Sequence, residues 1–264
     1  MKKIQILSAI VLAAAAMGCD DIKESDRYIP LEEVHPVRAV LIEEFTGQQC
    51  QNCPDGHRML ESLKKQYGDS VIPVSIHASS LAISGMLGNL QGLKTEDGDI
   101  YYNRDGIEKL PSAVVDRNGG ALDLAQWSGA VREELKKDTP VRITISASYD
   151  NVSNQITADI DMKSTKPVNC TLQVWLTENG IVSYQVDGSQ HLIDYVHNHV
   201  YRATMNTVDG ENVNITDVTT LSKSYSIEAD SKWVPSNMTA VAFVFDNSGV
   251  LQAASAPVSV AMAE

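Results

Sequence analysis

Hydrophobic and polar residues along this chain follow three successive rhythms. Residues 20–36 are charged and non-periodic, which predicts a tether. The run Ala39-Val40-Leu41-Ile42 leading to Glu44 then predicts a strand over 39–44. From Pro54 to about Tyr67, Met59, Leu60 and Leu63 share one helical face, and residues 71–77 return to an apolar strand. Strand, helix, strand in this order predicts a βαβ unit with a parallel pair. Glycines punctuate residues 84–105, where a short helix or loop is expected. Leu110-Pro111 opens the apolar run Ser112-Ala113-Val114-Val115, which meets the hairpin signal Asn118-Gly119. An amphipathic helix is predicted over 124–137, carrying Trp127, Val131 and Leu135.

Near Pro140 the rhythm changes to period two. Residues 142–149 and 155–162 alternate around Asp150-Asn151, and similar runs recur at 171–177, 199–205, 225–228, 240–246 and 250–256. Short strands at hairpin spacing predict an antiparallel sandwich of the immunoglobulin-like type. The expected organisation is therefore an α/β domain over 37–139 and an all-β sandwich over 140–264.

The start of the chain adds an address. Lys2-Lys3, the apolar stretch 4–17 and Gly18 form the charged, apolar and small-residue regions of a secretory signal over 1–18, too short to span a membrane. Ala16-Met17-Gly18-Cys19 resembles a bacterial lipobox, which implies a lipid on Cys19 and a cell-envelope location, with the outer membrane favoured. Outside the cytoplasm disulfides persist. The formal charge of -13 would repel a phosphate backbone, so nucleic acid is not an expected partner. No Gly-rich phosphate loop, HExxH or GxSxG occurs, and no cofactor is expected.

The chemistry centres on Cys50-Gln51-Asn52-Cys53, set between the first strand and the first helix. Two thiols at that spacing can close a small disulfide, and the helix N-terminus favours a thiolate on the first. The same pair could be an inert staple or half of a zinc site, for which Cys170 is the one remaining thiol candidate. Cys170 itself reads as a small buried hydrophobe. Glu44 reads either as a solvated strand-end carboxylate or as a proton-transfer group. His197 and His199 would share a face of a strand, a ligand-compatible spacing without a third ligand in reach, so no metal is expected. His57, one turn after Cys53, reads as a solvated helix residue.

The order strand, Cys-x-x-Cys, helix, strand, helix, Pro-strand-Asn-Gly and helix resembles the thioredoxin family over about residues 37–137. That resemblance implies a buried acid at Glu44 and a cis peptide at Pro111, making Cys50, Cys53, Glu44 and Pro111 the catalytic set of a thiol-disulfide oxidoreductase. Gln49 stands where that family usually carries an aromatic residue. Thr46-Gly47-x-x-Cys50-x-x-Cys53-Pro54 and His197-Asn198-His199-Val200-Tyr201-Arg202, on a lipoprotein with a following sandwich, resemble the twenty-eight-kilodalton outer-membrane protein family. The partners implied are a protein disulfide substrate in the envelope and a membrane reached through Cys19. The other reading is a non-catalytic surface lipoprotein that binds a protein or glycan and keeps Cys50–Cys53 as a structural bridge.

Overall fold

The computed structural model describes residues 37–260; the expected signal 1–18, Cys19 and the tether lie outside them. β1 (Val40–Thr46) is buried at all seven positions, and its period of two divides them between two cores. Val40 and Ile42 pack with Leu60 and Leu63 of α1 (Cys53–Tyr67), while Leu41 and Phe45 point the other way. β2 (Val71–His77) runs parallel to β1, in register from Val40↔Val71 to Thr46↔His77. The glycine-punctuated stretch holds more order than expected. It forms a small hairpin, β3 (Met86–Leu87) with β4 (Leu90–Gln91), and then α2 (Glu96–Arg104), where the Gly98 amide donates to the Thr95 hydroxyl. β5 (Ser112–Val115) completes this half, antiparallel to β1. α3 (Trp127–Glu134) is shorter than the 124–137 span predicted. A 3-10 turn closed by a reciprocal Asp123–Gln126 cap precedes it, and bonds from Lys136 N to Glu133 O and Lys137 N to Glu134 O tighten its end.

The second half is all strand apart from one short 3-10 turn. β6 (Val141–Asp150) and β7 (Gln155–Ser164) pair as the alternation predicted. β8 (Val168–Glu178) is followed by a hairpin that the pattern missed, β9 (Ile181–Asp187) with β10 (Gln190–His197). Then come β11 (Val200–Thr204), β12 (Glu211–Ile215), β13 (Leu221–Glu228), β14 (Met238–Asp246) and β15 (Gly249–Val260). β15 lies antiparallel to β14 over most of its length, and its last residues pair parallel with β6. The layer of β6 and β7 thereby closes over β8 and β14 around one core, which includes Ile156, Ile160, Leu172, Val174 and Val244.

On either side of Pro140 each half has a core of its own, around Val40, Ile42 and Trp127 in the first and around Ile156, Leu172 and Val244 in the second, and a third core is shared between them. Even-numbered residues of β8 (Leu172, Val174, Leu176) face the sandwich interior, whereas Trp175 packs with Leu41, Phe45, Val74, Tyr201 and Phe243. Strands buried on both faces read as near-continuous apolar runs, as β8 does. β11 also pairs with β2 through Val200↔Ser75, so strands of both halves join one mixed sheet of eleven. The described chain is thus mostly β, with a large mixed sheet and three α-helices.

Candidate functional site

Cys50 and Cys53 form a disulfide at the start of α1. Pro54 occupies the first turn, where its missing N–H costs nothing. Beneath that turn lies Glu44, on the α1 side of β1 and fully buried. Its Oε2 accepts a 2.7 Å hydrogen bond from Ser75 Oγ of β2, and its Oε1 has no hydrogen-bond partner. Burial raises the carboxyl from 4.5 to about 8, with the Ser75 bond opposing only part of the shift. A carboxyl in that range exchanges protons in either direction near neutral pH.

Gly56 makes this placement possible. A methyl group there would stand 2.3 Å from Glu44 Oε1, 3.0 Å from Trp127 Cη2 and 3.2 Å from Pro111 Cβ. The helix approaches β1 this closely because the residue one turn after Cys53 has no side chain. The Leu110–Pro111 peptide is cis, and Pro111 meets the same junction. Glu44, the disulfide and Pro111 therefore surround the first turn of α1.

The β9–β10 hairpin covers the cysteine loop. Val186 N donates to Gln48 O and Gly188 N to Gln51 O, both at 2.9 Å. The Gln185 amide donates to Cys50 O at 3.1 Å and to Gly47 O at 3.3 Å. Cys50 is left 4% exposed and Cys53 not at all, while Gln49 is exposed beside them.

The hairpin also brings Tyr195 and His197 of β10 onto the imidazoles of His57 and His77. His57 Nε2 lies 2.9 Å from Thr46 Oγ1 and 3.9 Å from Glu44 Oε1, and its Nδ1 is 2.8 Å from the Tyr195 hydroxyl. His77 and His197 lie 5.3 Å apart between ring centres, and His57 is 6.4 Å and 6.0 Å from them. Burial lowers His57 to about 3 and His197 to about 4, and takes His77 well below the ordinary range, so the cluster is neutral at pH 7. Both ring nitrogens of His77 are buried without a partner. Among the described residues no group of three His, Cys, Asp or Glu side chains is arranged to hold a metal ion.

Two sequence-level assignments change here, those of His57 and of the His197/His199 pair, and of the two readings of Glu44 the solvated one falls. His57 is a hydrogen-bonded member of the cluster and not a solvated helix residue, because β10 lies against its face of the helix. Glu44 is not a solvated strand-end carboxylate. His197 and His199 do not share a strand face: β10 ends at His197, and His199 has φ of 56° in the following turn, its Nε2 3.6 Å from Glu61. Cys170 is a buried free thiol on β8, packed in the core of the second half. Sequence reasoning missed Ser75, His77, Gln185 and Tyr195, which reach the site through pairings distant in sequence; Gly56 alone left a signal, as a glycine in the first turn of a helix.

The sequence family described as Outer membrane protein Omp28 matches residues 98–261, more than half of the chain. The chain belongs to the Omp28 family. Membership places this Omp28 protein in the cell envelope, at the outer membrane. Its fold is similar to that of HBP35 of Porphyromonas gingivalis, with a TM-score of 0.67 and 18% identity over 84% of this chain and 76% of that one. A protein of Agrobacterium tumefaciens gives a TM-score of 0.50 at 14% identity, over 82% and 92% of the two chains. A domain of the outer membrane lipoprotein Omp28 from P. gingivalis is 21% identical over 46% of this chain and 90% of that domain, with a TM-score of 0.32. Among curated proteins, none matches the chain. The Omp28 match begins at α2, after the cysteine pair.

Proposed function

We propose that this Omp28 protein is an envelope lipoprotein, anchored through Cys19 after removal of residues 1–18, whose 37–139 half is a thioredoxin-like thiol-disulfide oxidoreductase attached to an immunoglobulin-like sandwich over 140–264. The observation that carries this reading is Glu44, held without solvent contact under the helix turn that begins with the Cys50–Cys53 pair. A buried carboxyl with one oxygen unpartnered is costly for stability alone, and groups perturbed in this way gather at sites of chemistry.

In the reduced protein the Cys50 thiolate attacks a disulfide R–S–S–R′ of an envelope protein, forming a mixed disulfide and releasing R′–S⁻. Cys53 passes its proton to Glu44 and attacks Cys50 Sγ. The Cys50–Cys53 bond closes, R–S⁻ leaves, and two electrons have moved from the protein dithiol to the substrate. Pro111, against the same helix turn, shapes the surface on which the substrate chain rests. The steps reverse when the protein acts as the oxidant.

Cys53→Ser should accumulate mixed disulfides through Cys50 in envelope extracts, and Cys50→Ser should not. One observation favours a second reading, in which the bridge is structural and the domains bind a protein or glycan: the β9–β10 hairpin leaves Cys50 only 4% exposed. Absence of trapped partners together with a reduction potential below about -300 mV, the range of inert bridges, would establish that second reading.

A further inference from the structure

A proton that reaches Glu44 has no direct way out, because the side chain is 0% exposed. Its two oxygens have different surroundings. Oε2 is held by Ser75, whereas Oε1 is unpartnered and faces His57 Nε2 at 3.9 Å. A shift of about 1 Å would close that gap to hydrogen-bond length. On the far side of the ring, Nδ1 meets the Tyr195 hydroxyl at 2.8 Å. His57 and Tyr195 both line a cavity of about 210 Å³ between α1 and β10, together with Arg58, Glu61 and Ser75.

We propose that His57 and Tyr195 form the proton exit of Glu44: His57 takes the proton at Nε2 as Nδ1 releases one to the Tyr195 oxygen, and the half-buried Tyr195 hydroxyl gives its own proton to solvent in the cavity beyond. The inference deepens the oxidoreductase reading and rests on it. A neutral imidazole has one donor and one acceptor nitrogen, so it can take a proton at Nε2 and release one at Nδ1. Thr46 Oγ1, 2.9 Å from Nε2, can donate or accept, and so holds the ring in either tautomer. The groups facing His57 are Glu44 from β1, Arg58 from α1, His77 from β2, and Tyr195 and His197 from β10. Burial first, and the Arg58 charge after it, disfavour a lasting imidazolium, so the proton passes on without being stored. His57 acts through Glu44 and is a positioning residue, because it touches neither sulfur nor substrate.

The test measures oxidation of the reduced Cys50/Cys53 pair by excess glutathione disulfide in the full mature protein over roughly pH 6 to 9, bracketing the working range of such a group. Wild type is compared with Glu44→Gln, His57→Phe, Tyr195→Phe and the Glu44→Gln/His57→Phe double variant. Glu44→Gln should slow the reaction about tenfold or more, and His57→Phe nearly as much, with the pH profile flattened in both. The double variant should be no slower than Glu44→Gln alone, since both changes break one path. An unchanged pH profile in His57→Phe beside a slow Glu44→Gln overturns the exit and leaves the redox reading intact. Fully additive slowing in the double variant also overturns it, by showing that His57 acts only on structure. Unchanged kinetics in Glu44→Gln overturns the redox reading itself. Should His57→Phe fail to fold, Tyr195→Phe removes only a hydroxyl and decides alone: a flattened profile supports the exit, and a wild-type profile overturns it.

Discussion

The same substitution at two helical glycines should have opposite signs. In an exposed helix interior, glycine to alanine gains up to about 1 kcal/mol from backbone entropy. Gly129 in α3 has open space where its Cβ would go, so Gly129→Ala should realise most of that gain. At Gly56 the added methyl would lie 2.3 Å from Glu44 Oε1, about 1 Å inside the 3.4 Å of ordinary contact, with Trp127 and Pro111 blocking retreat at 3.0 Å and 3.2 Å. Overpacking of this kind costs about 1–3 kcal/mol, and it has to exceed the propensity gain for a net loss to appear. We expect Gly56→Ala to lose about 1–2 kcal/mol net, read as a fall in melting temperature of about 2–4 °C per kcal/mol for a chain of this size. The cause can be isolated by a double-mutant cycle: Glu44→Ala removes the carboxylate and should recover about 1 kcal/mol or more of the Gly56→Ala loss as coupling. Calorimetry on the four proteins gives the answer. If Gly56→Ala stabilises as Gly129→Ala does, the close approach of α1 to Glu44 is wrong.

Three further outcomes follow from burial. Glu44 ionises near 4.5 when unfolded and near 8 when folded, so the folded state binds the extra proton between those values and stability falls as pH rises through them; Glu44→Gln should remove about half of the slope in denaturant titrations, leaving a comparable one from Asp116, whose carboxyl burial raises from 3.8 to about 7. His77 works at the opposite limb. It stays neutral when folded but takes a proton below about 6.5 when unfolded, so stability is lost as pH falls; His77→Leu should move acid unfolding to lower pH and be neutral or stabilising at pH 7, and an unmoved acid transition would refute the assignment. A fragment of residues 37–139 should show no cooperative thermal transition, because Leu41, Phe45 and Val74 would lose Trp175, Tyr201 and Phe243 from their core; a sharp transition would show that the halves fold separately.

Much of the scaffold was legible, since local pattern and burial agree there. Val71–His77 carries the same bounds in pattern and structure, and β6 with β7 follows the alternation around Asp150. The β9–β10 hairpin was not legible because its polarity is reversed. In β9 the buried positions include Ser183, whose hydroxyl donates to Gln91 O, and Gln185, whose amide nitrogen donates to the cysteine loop, while Val182 is exposed. Hydropathy therefore points to the wrong face. The cysteine pair and Glu44 stand out within a short stretch of sequence, whereas the residues around them arrive from β2, β9 and β10. Glu44 and His57 could be located by spacing, but their burial depends on those later strands, and spacing alone carries no information on it.

The place of β15 decides which contacts can close only late in synthesis. Arg38, just before β1, donates to Val250 O at 2.7 Å and Leu251 O at 2.9 Å, and Ala39 N donates to the Gln252 side chain. The same strand gives β14 its antiparallel partner and β6 its parallel one. Until residues 249–260 have been translated, the first strand lacks these partners and both layers of the sandwich have an open edge. The contacts of residues 38 and 39 with β15 are therefore among the last that the fold can make during synthesis.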